Sequence, residues 1–434
     1  MKPHLSTSAE KGKPAQISTL PNGLRVASYT MPASQTVAVG IWCGVGSRHE
    51  SAHLSGVSHF LEHLLFKGTR KRTAQQISEE VEGIGGDLNA FTSEERTCYY
   101  AAASAEHFPR VTAVLADMYQ NSLLHAGEME RERGVIIEEI EMVRDEPAQY
   151  VDELLNEETW KGHALGRPIT GTKKSLASIT RKDLLGHLRN HYHAGQTIVT
   201  AAGAVDHDMV VKLASKLLGK LSSHQKKHLP HMLTAPLEQK APRISLTSRE
   251  TQQTQLALAF RAVGATDGRR HAASLLHVIL GGNMSSRLFQ ELRERRGLCY
   301  SVSSSLSTYS DSGSLDISLG LDEGNVLQAV QLILKECRRM AKKPPSLAEL
   351  RRACDYTIGT SRMALERAAI QNYRLGNSLL TYGSVVPAEE VYKTFAKVTP
   401  REVQVVAEQI FQPHHLSLAM VGQGPSKKKL LSLL

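Results

Sequence analysis

Between Ile17 and Val45 apolar and polar positions alternate, interrupted by Pro21-Asn22-Gly23. Alternation with period two marks half-buried strands, and the tripeptide supplies a turn. Two strands of one sheet are therefore expected, at 23–29 and 36–42. The period then changes. From Ser58 to Phe66 the apolar residues crowd around His59, Glu62 and His63 at helical spacing. A second helix is expected from Thr73 to Ile84, opened by Thr73 as N-cap, with Glu79, Glu80 and Glu82 on its outer side. The run from Gly85 to Thr92 and the run from Thr97 to Ala102 read as two strands joined by Ser93-Glu94-Glu95-Arg96. Strong helical patterns follow at 108–120 and 128–143.

The second half repeats the first. Ser222 to Pro242 is polar and carries Pro230, Pro236 and Pro242, which fits an interdomain linker. Before it, the strand pattern 192–203 leads into an amphipathic helix ending near Leu218. Near the C-terminus, 411–422 shows the same strand pattern, and a helix to Leu434 is expected after it. The helix at 108–120 likewise has a counterpart at 326–340. The expected organisation is α+β: two copies of one unit, each a mostly antiparallel sheet with helices packed on it. The boundaries are a flexible N-terminus at 1–14, a first domain at 15–221, a linker at 222–242 and a second domain at 243–434.

Composition narrows the picture. A chain of 434 residues is too long for one ordinary core. No apolar run reaches transmembrane length. The segment Met1 to Gly12 has neither the apolar core of a secretory signal nor the arginines of a mitochondrial presequence. The five cysteines are scattered without a Cys-x-x-Cys pair, which favours reduced thiols and a cytoplasmic setting. The net charge of +9 raises the question of nucleic acid. Its basic runs are dispersed and not interleaved with aromatics, so they read as solvated faces. Neither nucleic acid nor membrane is an expected partner.

The chemistry begins with His59-Phe60-Leu61-Glu62-His63. On a helix, residues four apart share a face, so two imidazoles stand together and can bind one zinc ion, with Glu62 close by. Zinc acidifies a water, and a glutamate in this position can take its proton. The order mirrors the zincin motif and is that of an inverzincin. Phe60, Leu61, Leu64, Leu65 and Phe66 surround the polar triplet, and burying it without partners would be costly. A third protein ligand is needed, and the helix at 128–143 offers carboxylates. Glu132 and Glu139 lie two turns apart on one face. Spacing alone does not separate Glu138, Glu139 and Glu141. The strand at Asn89-Ala90-Phe91-Thr92 reads equally as edge or interior. In the second half, His271 and His277 have the wrong spacing for a metal pair and are expected to be core or surface residues. On residues alone, Arg293 belongs to a basic helical cluster and Tyr300 is a core strand residue.

These motifs together resemble the pitrilysin/insulinase family, in particular its mitochondrial-processing-peptidase-like branch. The similarity is carried by His59 to His63 with Lys67-Gly68-Thr69, by Gly85-Gly86-Asp87-Leu88-Asn89-Ala90-Phe91-Thr92, by Glu130 to Glu139, and by His163 to Ile169, in the family's order. The resemblance spans the chain and implies a zinc-dependent endopeptidase with one zinc per chain, held by His59, His63 and Glu139. It implies Glu62 as general base and Glu132 as an electrostatic support. It makes Asn89, Ala90, Phe91 and Thr92 an edge strand that accepts the substrate backbone. It matches Arg293 and Tyr300 to a pair that donates to the oxyanion. It also implies half of a clam-shell chamber closed by a dimer, either a homodimer or a heterodimer with a related chain. Two other classes remain in view: an assembly subunit that keeps the fold without turnover, and a zinc hydrolase acting on esters.

Overall fold

In the computed structural model the described residues are 15–223, 234–235 and 239–434. The expected flexible N-terminus at 1–14, and residues 224–233 and 236–238 of the expected linker, lie outside them. The strands are β1 (Ala15–Thr19), β2 (Arg25–Thr30), β3 (Thr36–Cys43), β4 (Asp87–Thr92), β5 (Thr97–Ser104), β6 (Thr197–Gly203), β7 (Arg243–Thr247), β8 (Thr254–Ala262), β9 (Cys299–Thr308), β10 (Gly313–Leu321) and β11 (Leu416–Val421). They form two sheets, in the orders β1-β2-β6-β3-β5-β4 and β7-β11-β8-β10-β9. In the first sheet only β2 and β6 run parallel; in the second only β7 and β11 do. Leaving out β1, the two orders superpose strand for strand, including the parallel pair. The duplication expected from the sequence is thus present in the topology.

Among the described residues before Trp160 the α-helices are α1 (Val57–Leu65), α2 (Ala74–Glu82), α3 (Phe108–Asn121), α4 (Ala126–Asp145) and α5 (Pro147–Thr159). The hairpin β1–β2 turns at Gly23, whose φ of +91° suits glycine. Thr73 caps α2, accepting from the Gln76 N–H while the Gln76 side chain accepts from the Thr73 N–H. After β11 the chain departs from expectation. The terminal helix is only Lys427–Leu431, because Gly422, Gly424 and Pro425 break the backbone first.

By internal packing, and taking only the described residues, the chain forms two compact units. One is drawn from Met1–Ile140, Arg167–Met232 and Arg362–Pro387, the other from Glu141–Gly166, Leu233–Ser361 and Ala388–Leu434. Relative to the contiguous spans 15–221 and 243–434, the units trade helices. In the first unit, Val37, Val39, Ile41 and Cys43 of β3 face one core with Phe60, Leu61, Leu64 and Leu65 of α1 and Phe108 to Met118 of α3. Trp42 points to the other face, where Leu375 and Leu379 of the helix Ala368–Tyr382 cover it. The strand expected at 36–42 is thus not half-buried as alternation suggested: 37–43 is a nearly continuous apolar run because its sheet is covered on both faces. In the second unit, Leu256, Leu258 and Phe260 of β8 face a core built with helices Arg270–Gly281, Val326–Lys342 and Pro400–Ile410. Its other face is lined by Ala257, Ala259, Ala419 and Val421, on which Val151 and Leu155 of α5 rest. Among the described residues no helix is long and apolar enough to cross a membrane.

Candidate metal centre

The helix α1 buries Phe60, Leu61, Leu64 and Leu65 and leaves His59, Glu62 and His63 on its half-exposed side. The two rings stand 4.6 Å apart between centroids. Opposite them runs α4, whose buried stripe Met129, Glu132, Ile136 and Ile140 fixes its rotation. That rotation turns Glu139 toward the histidines: one carboxylate oxygen is 3.7 Å from His59 Nε2 and the other 3.6 Å from His63 Nε2. Glu138 points outward, and Glu141 pairs with Arg144.

One ligand atom from each of His59, His63 and Glu139 falls within 4.8 Å of the others, the single such group of three among the described residues. His63 Nδ1–H donates to Glu132 Oε2 at 3.2 Å, and Lys67 Nζ–H donates to Glu132 Oε1 at 2.9 Å. Because a carboxylate oxygen accepts, Nδ1 is the donor in this contact, which leaves His63 Nε2 as the ring nitrogen on the side of Glu139. Burial, and then the neighbouring His63, push His59 down to about 4, so its ring is neutral at neutral pH, the ligating form. His59 Nδ1 is buried with no hydrogen-bond partner among the described residues. Two imidazoles and a carboxylate converging in a half-buried setting fit zinc by donor type and number.

Glu62 sits beside this group, and Thr92 O–H donates to its Oε2 at 2.6 Å. Burial raises the Glu62 carboxyl above the usual range; the bond from Thr92 and the charge of His63 oppose that, and Glu139 adds to it. Thr92 ends β4, the outermost strand of its sheet, which among the described residues pairs with β5 alone. Along β4, Leu88 and Ala90 pack toward the core that holds α1, while Phe91 faces Trp42, Tyr100 and Tyr373 on the other side. The Ala90 N–H is engaged by the Asn89 side chain at 2.8 Å.

The remaining residues lie in the second unit. Phe289–Glu294 is a π-helical turn, and Arg293 stacks its guanidinium 5.1 Å from the Tyr300 ring and 4.7 Å from Phe289. Tyr300 lies on β9 but is 76% exposed, so it is not the core residue that the strand pattern alone suggested. The two form a pair of their own on that unit's surface. His271 packs edge-on against Phe395, and neither it nor His277 joins a three-ligand group among the described residues.

Reasoning from spacing missed three contacts: the Thr92 hydroxyl on Glu62, the Lys67 ammonium behind Glu132, and Glu50, whose carboxylate meets the start of α1. The third left a trace in the sequence. The helix opens at Ser55-Gly56-Val57 with glycine in the capping position, so its first N–H groups need an acceptor from elsewhere.

Residues 25–173 match the insulinase family, peptidase family M16, and residues 178–356 match the peptidase M16 inactive domain. An uncharacterized zinc protease of Streptomyces coelicolor is 37% identical over 419 residues, covering 96% of this chain and 91% of its own. The uncharacterized zinc protease YmxG of Bacillus subtilis is 34% identical over 407 residues, with 93% and 97% covered. Among solved structures, a protease from Helicobacter pylori shares the fold with a TM-score of 0.89 at 22% identity, covering 94% of this chain and 99% of that one. A chain of complex III2 from Candida albicans does so with a TM-score of 0.83 at 19% identity, covering 96% and 99%.

Proposed function

The chain belongs to peptidase family M16, the insulinase family, and from that premise we propose that it is a zinc-dependent endopeptidase acting on short or unfolded polypeptides. The observation that carries this reading is the convergence of His59, His63 and Glu139 beside Glu62 at the end of an open edge strand.

Zinc held by His59, His63 and Glu139, one ion per chain, would supply Lewis acidity toward a water and the scissile carbonyl. Glu62 takes the proton of the attacking water and later gives it to the leaving amine. Thr92 engages one oxygen of Glu62 and leaves the other free for this exchange. Glu132, backed by Lys67, holds His63 in the ligating tautomer. The β4 edge binds the peptide as an added strand, so backbone bonds give affinity without demanding a sequence. The Asn89 side chain must leave the Ala90 N–H as that strand docks. In the clam-shell homodimer that the family resemblance implies, Arg293 and Tyr300 of the second copy donate to the developing oxyanion. A heterodimer with a related chain is the alternative arrangement.

The test is zinc content together with cleavage of a quenched-fluorescent peptide library, wild type beside Glu62→Gln. Zinc in both and cleavage by the wild type alone is the expected result; a zinc-free wild type overturns the site. A second reading has one observation in its favour, the shared fold with a chain of complex III2. In that reading the protein is a non-catalytic assembly subunit, and bound zinc without cleavage of any peptide would select it.

A further inference from the structure

The metal helix begins in an unusual way. Gly56 occupies the N-cap with φ +94°, and a Cβ there would come within 2.6 Å of the Thr170 carbonyl oxygen. No residue with a capping side chain fits at that position. The first turn of a helix nevertheless leaves N–H groups without intrahelical partners. Two of the N–H groups at this end are met by one distant carboxylate: Glu50 Oε2 accepts from Gly56 N–H at 2.7 Å, and Oε1 accepts from Ser58 N–H at 2.8 Å. Glu50 is 7% exposed. Its own backbone is held at both ends, the N–H donating to Ser47 O at 3.2 Å and the carbonyl accepting from the Arg167 guanidinium. The turn between Glu50 and the helix is clamped too, since Ser175 O–H donates to Ser55 O at 2.7 Å. Ser58 is followed directly by His59.

We infer that Glu50 is a positioning residue for the metal centre: its carboxylate replaces the cap that Gly56 cannot provide and fixes the turn from which His59, Glu62 and His63 project. A carboxyl that accepts from two backbone N–H groups at a helix N-terminus satisfies the same donors as a capping side chain; burial pushes Glu50 up to about 7, opposed by the bonds from Ser58 and Gly56 and by the Arg167 charge. A buried carboxyl whose two oxygens each accept from a backbone N–H also tolerates little displacement, since moving it leaves those donors unpaired. Loss of the cap lets the first turn fray, and fraying there moves the first metal-binding histidine directly. The inference rests on the zinc-peptidase reading and adds to it a residue that touches neither metal nor substrate.

The experiment compares wild type, Glu50→Gln and Glu50→Ala. It measures zinc affinity of the metal-free chain by competition with a chromophoric chelator, amide hydrogen exchange at Gly56 and Ser58, and kcat and KM on a quenched peptide. Glu50→Ala removes both acceptors. It is expected to speed exchange at both amides, weaken zinc binding about 10- to 100-fold and lower kcat by a similar factor, with KM changed little. Glu50→Gln keeps one acceptor oxygen and is expected to fall between the two, a partial rescue that a generic loss of stability would not produce. If Glu50→Ala does not fold, Glu50→Gln decides alone: zinc affinity within about twofold of wild type overturns the inference. A wild type that binds zinc and cleaves, with variants that do the same at equal affinity, sinks this inference and leaves the proposed function standing. A wild type without zinc removes both.

Discussion

Replacing Thr92 by valine preserves the shape of the side chain and deletes the hydroxyl that holds Glu62 at 2.6 Å. Under the proposed mechanism, losing that bond frees the carboxylate to adopt orientations of which few suit a general base. The expected result is a kcat lower by about 10- to 100-fold at unchanged zinc content, measured on a quenched peptide beside metal analysis. Equal loss in kcat and zinc would mean that Thr92 supports the site as a whole and not the base. Lys67→Met acts on a different atom. It leaves Glu132 facing His63 without its counter-charge, and zinc affinity should drop about 10-fold or more while Glu62 keeps its place; chelator competition reads this directly. Both residues sit in motifs that the sequence displays, yet their contacts do not follow from spacing. Helical geometry ties His59 to His63 because they share one helix. Glu138, Glu139 and Glu141 also share a helix, but which of them meets the histidines depends on how α4 is rotated against α1. The family resemblance chose Glu139; in the structure the buried stripe from Met129 to Ile140 turns it inward.

At the level of elements, two helix–sheet contacts invite measurement. The helix Ala368–Tyr382 lies on β3 with Gly376 directly against the Trp42 indole, where a Cβ would stand 2.0 Å from a ring carbon. Gly376→Ala should therefore destabilise by about 1–3 kcal/mol despite alanine's better helix propensity, visible as a lower thermal midpoint. The second contact places Asp152 of α5 near Asp316 of β10. Burial pushes the Asp316 carboxyl up to about 7; bonds from Ser314 and Ser307 oppose this, and the Asp152 charge adds to it. An unfolded aspartate titrates near 4. Between about pH 4 and pH 7 the folded chain thus holds a proton that the unfolded chain has lost. Asp316 therefore makes stability fall as pH rises through that window, with the full cost present above it. Asp316→Asn should raise the melting midpoint at pH 8 by about 2–4 °C or more and do little near pH 4; a shift of the same size at both pH values would dismiss this account. Neither α5 nor the helix Ala368–Tyr382 is among the elements expected from the sequence; amphipathic patterns show at best that a helix exists and which face it buries. They do not say which sheet receives that face, and so the exchange of helices between halves is invisible in them.

For the molecule as a whole, the duplicated topology was legible because strand and helix patterns recur in the same order, and the mixed α+β class follows from it. The proposed pairing of chains makes a sharper prediction. Glu62→Gln disables one contribution to the site, and a double Arg293→Ala/Tyr300→Phe variant disables the other. If a second copy supplies the oxyanion donors, mixing the two inactive proteins creates hybrid dimers in which one site is intact, and about a quarter of wild-type activity should return. No recovery after exchange of subunits, verified by mass at twice 47.6 kDa, would assign the donors to the same chain or to none.

The traded helices carry a consequence for the newborn polypeptide. By the time β6 leaves the ribosome, the first sheet has all its strands, but the helix that shields Trp42, Cys98 and Ile198 is encoded roughly 165 residues later. At about 5–20 residues per second that is a delay on the order of ten seconds or longer, during which an oily surface has nothing to cover it. The α5 segment waits in the same way for β8 and β11. A nascent chain of this design calls for a chaperone at the exit tunnel, and separately expressed halves should precipitate where co-expressed halves dissolve.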